Sequence, residues 1–189
     1  EKNAYFSDTA ALGTGDDFHL VPFHSNSLLD GRLAAAPWAQ STPDPISSAS
    51  WSTWAEINSK QAQSLGIKEG DVLLIRSNSG EIEALAYPHP GVRPGVIGVP
   101  IGQGHHRNGR WAEDRGSNVL SILTGEKDSQ TGALAWAATQ VRVQRAGRRV
   151  KVPKFEGNVE ARPIEPGVPV LVVGIDETAE HAQETNHHI

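Results

Sequence analysis

The chain has 189 residues, 38% of them hydrophobic and 21% charged, so it can form a domain of about 150 residues that buries roughly two-thirds of its unfolded surface. A formal net charge of -5 argues against the nucleic acid backbone as a general partner, since such binding rests on a basic surface. The sequence contains no Cys, which rules out disulfides, a thiolate nucleophile and iron–sulfur ligation within these residues, and no apolar run approaches the length of about 18 that spans a bilayer.

Gly and Pro, at 19 and 12 residues, punctuate short apolar stretches, and this predicts a mainly β, turn-rich architecture. Residues 1–10 lack the basic and apolar regions of a signal peptide, and the absence of any Met, the initiator included, predicts a segment of a longer or processed polypeptide. The first element is a buried strand over residues 18–23, ended by the turn HSNS. Residues 30–51 carry Pro37, Pro43 and Pro45 among small polar residues, a long surface loop of the kind that carries function.

A strand over residues 54–57 then feeds a short helix: Asn58 is the N-cap, Ala62 and Leu65 face inward, and Gly66 ends it. DVLLIRS and EIEALAY flank a turn at Asn78, Ser79 and Gly80 and read as a hairpin in which Ile82, Leu85 and Tyr87 supply β-favouring bulk. A Pro/Gly turn precedes a buried strand over residues 96–101, followed by a second long polar stretch, 102–117, and an apolar segment, 119–123. Residues 133–138 and a half-exposed strand over 140–145 are expected to close the compact part. Beyond Gly147 a basic patch of Arg148, Arg149, Lys151 and Lys154, read as solvated or interfacial, gives way to an acidic tail in which only residues 168–175 can form a strand.

Chemistry-bearing residues are plentiful but weakly organised. His105 and His106 are adjacent and point to opposite faces of an extended segment, and no zinc-type spacing surrounds them; His187 and His188 lie at the end of the chain. Ser25, His105 and Asp114 could be assembled on paper as a hydrolytic set, without a nucleophile elbow to support it. Residues 98–104 are Gly-rich without the residues of a phosphate loop or a dinucleotide fingerprint. Trp38, Trp51 and Trp54 are compatible with an exposed recognition surface and equally with core anchoring.

The runs PWAQSTPDP (37–45), WSTWAEINSKQAQSLGIKEGDVLLIRSNSGEIEA (51–84), PGVRPGVIGVPIGQGH (90–105) and GRWAEDRGSNVLSIL (109–123) resemble the C-terminal molybdopterin dinucleotide-binding domain of the dimethyl-sulfoxide-reductase superfamily. Within it, the likeness is to the large iron–sulfur subunit of alternative complex III, the bacterial quinol-oxidising assembly, and to related menaquinone reductase subunits. The resemblance implies a six-stranded double-psi β-barrel with short helices and long loops, plus an extended C-terminal tail, divided as a connecting segment 1–14, a barrel 15–147 and a linker 148–189.

It further implies a subunit on the periplasmic, outer face of the bacterial cytoplasmic membrane, held there by other domains or subunits of a membrane-bound electron-transfer complex. In the alternative complex III branch the barrel persists without molybdenum. The implied role is thus a structural, cofactor-cradling domain with no catalytic residue of its own, iron–sulfur clusters and heme residing in partner domains or subunits. The alternatives are the cofactor-binding domain of an active molybdenum bis-guanine-dinucleotide oxidoreductase, acting on a small oxyanion or sulfur species, and a free-standing double-psi adaptor. Where molybdopterin guanine dinucleotide is bound, the positions matching the family's contacts are His24, Ser25 and Asn26 in HSNS, Gln103, Gly104, His105 and His106 in GQGHH, and Asn118. Glycines there allow close backbone approach, and amides and hydroxyls read a polar heterocycle through hydrogen bonds.

Overall fold

The computed structural model describes residues 17–155. The expectations for the connecting segment 1–14, for the strand at 168–175 and for His187 and His188 lie outside the described residues. In chain order the elements are β1 (Asp17–His24), α1 (Pro37–Ser41), β2 (Trp54–Asn58), α2 (Ser59–Ser64), β3 (Asp71–Arg76), β4 (Glu81–His89), β5 (Val96–Ile101), a 3-10 turn (Val119–Ile122) and β6 (Gln140–Arg149).

Local chemistry sets the β2–α2 unit as its sequence predicts. The Asn58 side chain accepts from the backbone N–H groups of Lys60 and Gln61 at 3.0 and 3.2 Å, satisfying donors that a helix start leaves without partners. Gly66, at φ 65°, turns the chain out of the helix in the left-handed region. The hairpin also forms, with β3 and β4 antiparallel from Val72↔Leu85 to Arg76↔Glu81.

The strands close into a barrel in the order β1-β5-β2-β4-β3-β6. β1 lies parallel to β5, and β2 parallel to β4, while the other neighbours are antiparallel. Parallel neighbours need crossover connections, so the chain must interlock rather than meander. The result is a double-psi β-barrel. Its interior is filled by Phe18, Leu20, Ile57, Leu73, Ile75, Ile97 and Val99, with Val141 and Val143 from β6. In β4 the inward set is Ile82, Ala84 and Ala86, whereas Leu85 and Tyr87 point the other way, into a smaller cluster built on Ala49, Trp54 and Val152.

Residues 133–138 do not close the compact part. They belong to an exposed arm in which Asp128 N–H donates to Ala133 O at 2.8 Å and Ala135 N–H to Glu126 O at 2.9 Å, and Trp136 is 46% exposed. An alanine-rich run offers little bulk to bury, and closure falls to β6 alone. That strand continues past Gly147 to Arg149, so the boundary expected at 147 falls inside it. Residues 150–155 then fold back: Val152 is buried, Ser50 N–H donates to Pro153 O at 3.0 Å, and Phe155 N–H to Ser48 O at 3.0 Å. The β6 arginines act as staples, Arg145 to Gly66 O, Arg149 to Glu69 O, and Arg148 in an ion pair with Glu83.

Candidate functional site

Because β1 and β5 run parallel and in register to His24↔Ile101, the segments that follow them leave the barrel side by side at one end. Glycines let these loops touch. A Cβ on Gly31 would lie 2.9 Å from His105 Nε2, and one on Gly102 would lie 3.0 Å from Leu28 Cβ. The second loop is zipped to itself, with Gly104 N–H donating to Arg115 O at 2.8 Å and Asp114 N–H to His105 O at 3.0 Å. It is tied to the start of β2 through Thr53, whose hydroxyl accepts from Ser117 N–H at 2.9 Å and donates to Ser117 O at 3.1 Å.

The residues matched in the sequence separate into distinct settings. Ser25 and Gln103 come together beneath the surface, lining a cavity of about 10 Å³ with Gln40, Trp51 and Ser52. Ser25 Oγ accepts from Leu28 N–H at 3.2 Å and so braces its own turn. Gln103 exchanges amide bonds with Gln40, Nε2 of each donating to Oε1 of the other at 2.7 and 3.2 Å, and Gln40 Nε2 also reaches Ala34 O at 3.0 Å. Gly104 and Asn118 instead line an open cleft of about 400 Å³ with His106, Gly116, Ser117 and Ser121, closed on its far side by Leu74, Glu81, Ile82 and Glu83. Asn118 Oδ1 caps the 3-10 turn by accepting from Leu120 N–H at 3.1 Å. His105 is half-buried, its Nε2 3.2 Å from Gly102 O, while His24 and Asn26 are exposed.

Among the described residues no group of three His, Asp or Glu side chains is placed to hold a metal. Ser25, His105 and Asp114 form no relay, since Ser25 serves its turn and His105 the Gly102 carbonyl. On the exposed loop after β1, hydrogen bonds from Arg32 hold the Asp30 carboxyl well below the usual carboxylate range.

Sequence reasoning missed what surrounds Trp51. This residue sits at φ 57° and Asp114 at φ 53°, left-handed conformations that cost a non-glycine residue about 1–3 kcal/mol and concentrate at functional sites. Arg115 lies over the Trp51 ring with Cζ 4.6 Å from its centroid, Trp51 tilts against Trp111 at 6.1 Å, and Arg110 lies 4.3 Å from the Trp111 centroid. Of the tryptophans grouped by sequence, Trp54 is core and Trp38 is 64% exposed. The signal in the sequence is only that Trp51 and Arg115 both fall in runs that resemble one family.

A family described as the Molydopterin dinucleotide binding domain matches residues 38–135, more than half of the chain, including the loop after β5 and the segment around Trp51. The chain belongs to that family. This molydopterin dinucleotide binding domain is 34% identical over 140 residues to the arsenate respiratory reductase molybdopterin-containing subunit of Chrysiogenes arsenatis, covering 68% of this chain and 16% of that protein. It is 23% identical over 90 residues to the menaquinone reductase, molybdopterin-binding-like subunit of Nitratidesulfovibrio vulgaris, covering 48% and 13%. Acetylene hydratase from Pelobacter acetylenicus shares the fold, with a TM-score of 0.54 at 15% identity over 68% of this chain and 18% of that one. The domain thus spans less than a fifth of the length of these relatives.

The Gln40–Gln103 exchange ties α1 to the loop after β5 and should be felt in stability. Gln103→Leu leaves Gln40 Oε1 without its donor in a buried place, and the expected loss is about 2 kcal/mol in urea unfolding. Gln40→Leu combined with Gln103→Leu removes both partners and should recover part of it. Additive losses in that double-mutant cycle would show that the amides do not act as a pair.

Proposed function

We propose that this domain provides the polar cradle for the dinucleotide end of a molybdopterin cofactor within a larger oxidoreductase. The observation that carries the reading is the cleft at the barrel end, where glycine backbone at 104 and 116 and the amide and hydroxyls of Asn118, Ser117 and Ser121 converge. A space of about 400 Å³ lies within the range of small-molecule sites. Such donors and acceptors suit an uncharged heterocycle, and two buried polar atoms still without partners, Ser52 Oγ and Arg115 Nε, belong to the same loop system. The residues present therefore fit the group. When bound, the cofactor would supply molybdenum redox chemistry on a small oxyanion or sulfur species. The chain's own residues bind and orient it.

The test is elemental and nucleotide analysis of the native protein that carries this domain. Near-stoichiometric molybdenum, with guanine nucleotide released by acid, is expected. Iron and heme with neither would favour a second reading, the retained scaffold of a quinol-oxidising electron-transfer complex of the alternative complex III type. The likeness to a molybdopterin-binding-like menaquinone reductase subunit supports that reading. In either case we place the protein on the outer, periplasmic face of the cytoplasmic membrane, held by partner subunits that carry the clusters and any heme.

A further inference from the structure

We propose that Arg115, stacked on Trp51 and seconded by Ser52, is the anion anchor of this domain and holds the diphosphate of the dinucleotide. The proposal rests on the cofactor-cradling reading and deepens it.

Among the described residues, the buried side-chain polar atoms left without a hydrogen-bond partner are Ser52 Oγ and Arg115 Nε. Ser52 follows Trp51 in the chain, and the Arg115 guanidinium lies over the Trp51 ring at 4.6 Å. The paired bonds between Thr53 and Ser117 clamp the two segments side by side, so the hydroxyl and the guanidinium are brought to one neighbourhood. Unmet hydrogen-bonding capacity and left-handed backbone at Trp51 and Asp114 thus coincide. A buried donor without an acceptor costs about 1–3 kcal/mol, and more when charged, so such groups call for a partner from outside the chain, whether ligand, ion or ordered water.

The chemistry of the missing partner follows from what the other arginines do. Arg32, Arg76, Arg142 and Arg148 pair with carboxylates, and Arg145 and Arg149 donate to backbone carbonyls. Arg93, Arg107 and Arg110 are exposed to water. Arg115 differs: it is half-buried, its charge is not met by any carboxylate among the described residues, and its face is occupied by an indole. Stacking leaves the in-plane N–H fork available, a geometry that suits two oxygens of a phosphate, and a serine hydroxyl can donate to a third. The next residues, Gly116, Ser117 and Asn118, line the cleft, whose carboxylates Glu81 and Glu83 are already paired with Arg76 and Arg148. A wall of amide and hydroxyl groups that follows directly on a cation in the chain matches a heterocycle joined to a diphosphate.

The test uses the native protein with Arg115→Gln, Arg115→Lys and Arg110→Gln. Guanine nucleotide and molybdenum are measured per polypeptide after extended dialysis, and thermal unfolding is recorded for each variant. R115Q is expected to lose the nucleotide at least tenfold faster than the parent, R115K several-fold faster because it keeps the charge without the fork, and R110Q no faster. If R115Q does not fold, R115K carries the comparison. Retention by R115Q, or by R115K in that case, equal to the parent would overturn the anchor, as would full retention with only the KM for an oxyanion substrate raised, which would assign Arg115 to substrate. A parent protein holding neither molybdenum nor guanine nucleotide would instead refute the cradle reading, and the anchor with it.

Discussion

Replacing Gly104 with alanine is expected to destabilise the domain by about 4 kcal/mol, through forced overlap and a left-handed backbone together. A Cβ there would lie 2.1 Å from Asn118 N, 2.5 Å from Ser117 C and 2.8 Å from Asn118 Cα, all of them backbone atoms that cannot rotate away. Gly104 also sits at φ 83° and donates its N–H to Arg115 O at 2.8 Å, so any retreat strains the zipped loop. Gly109 provides the comparison, with a similar φ of 76° but nothing within 4 Å of a built Cβ. Gly109→Ala should cost only the backbone term, about 1–2 kcal/mol. Urea unfolding followed by tryptophan fluorescence separates the two. Equal losses would mean that close approach is not what the glycine at 104 provides. Because Gly104 and Asn118 form one wall of the cleft, Gly104→Ala should also release guanine nucleotide faster, by pushing that wall apart.

What could be read from the sequence follows from the range of the interactions involved. The unit from Trp54 to Gly66 is legible because its cap and its stop act within three or four residues. The β3–β4 hairpin is legible for a similar reason, its turn being marked by polar residues and Gly80. The barrel is not written in periodicity. Its closure depends on parallel pairing of β1 with β5, strands separated by more than 70 residues, and it was expected from family resemblance alone. The candidate site is partly legible: Gly104 of GQGH and Asn118 line the cleft, but which polar groups are already engaged depends on long-range partners. Gln103 looks like a free amide in sequence, yet its partner Gln40 lies 63 residues away. Ser25 looks like a ligand and braces a turn. Arg115, one of many arginines in sequence, is set apart by a buried Nε without a partner and by an indole brought across from residue 51. Residues 133–138 show the converse error, in which an apolar composition without bulk suggests closure.

Leu73 and Leu74 are neighbours in an apolar run, and only the sheet register tells them apart. Successive strand residues point to opposite faces, so in DVLLIR one leucine must enter the barrel and the other must leave it. Leu73 is the inward one, fully buried and opposite Ala84, where a large residue against a small one fills the interior. Leu74 is half-buried on the outer face, opposite Glu83, and lines the cleft beside Gly104 and Asn118. Leu73→Ala removes side-chain volume from a place that can relax little, and the expected loss is about 2–5 kcal/mol. Leu74→Ala is expected to cost less than about 1.5 kcal/mol, because much of that side chain already meets solvent. The measured order is a direct test of register, since a slip of one residue would exchange the two values. It also tests whether the outer face carries the proposed ligand. Leu74→Ala should change guanine nucleotide retention with little change in stability, and Leu73→Ala should change retention only as far as it unfolds the barrel.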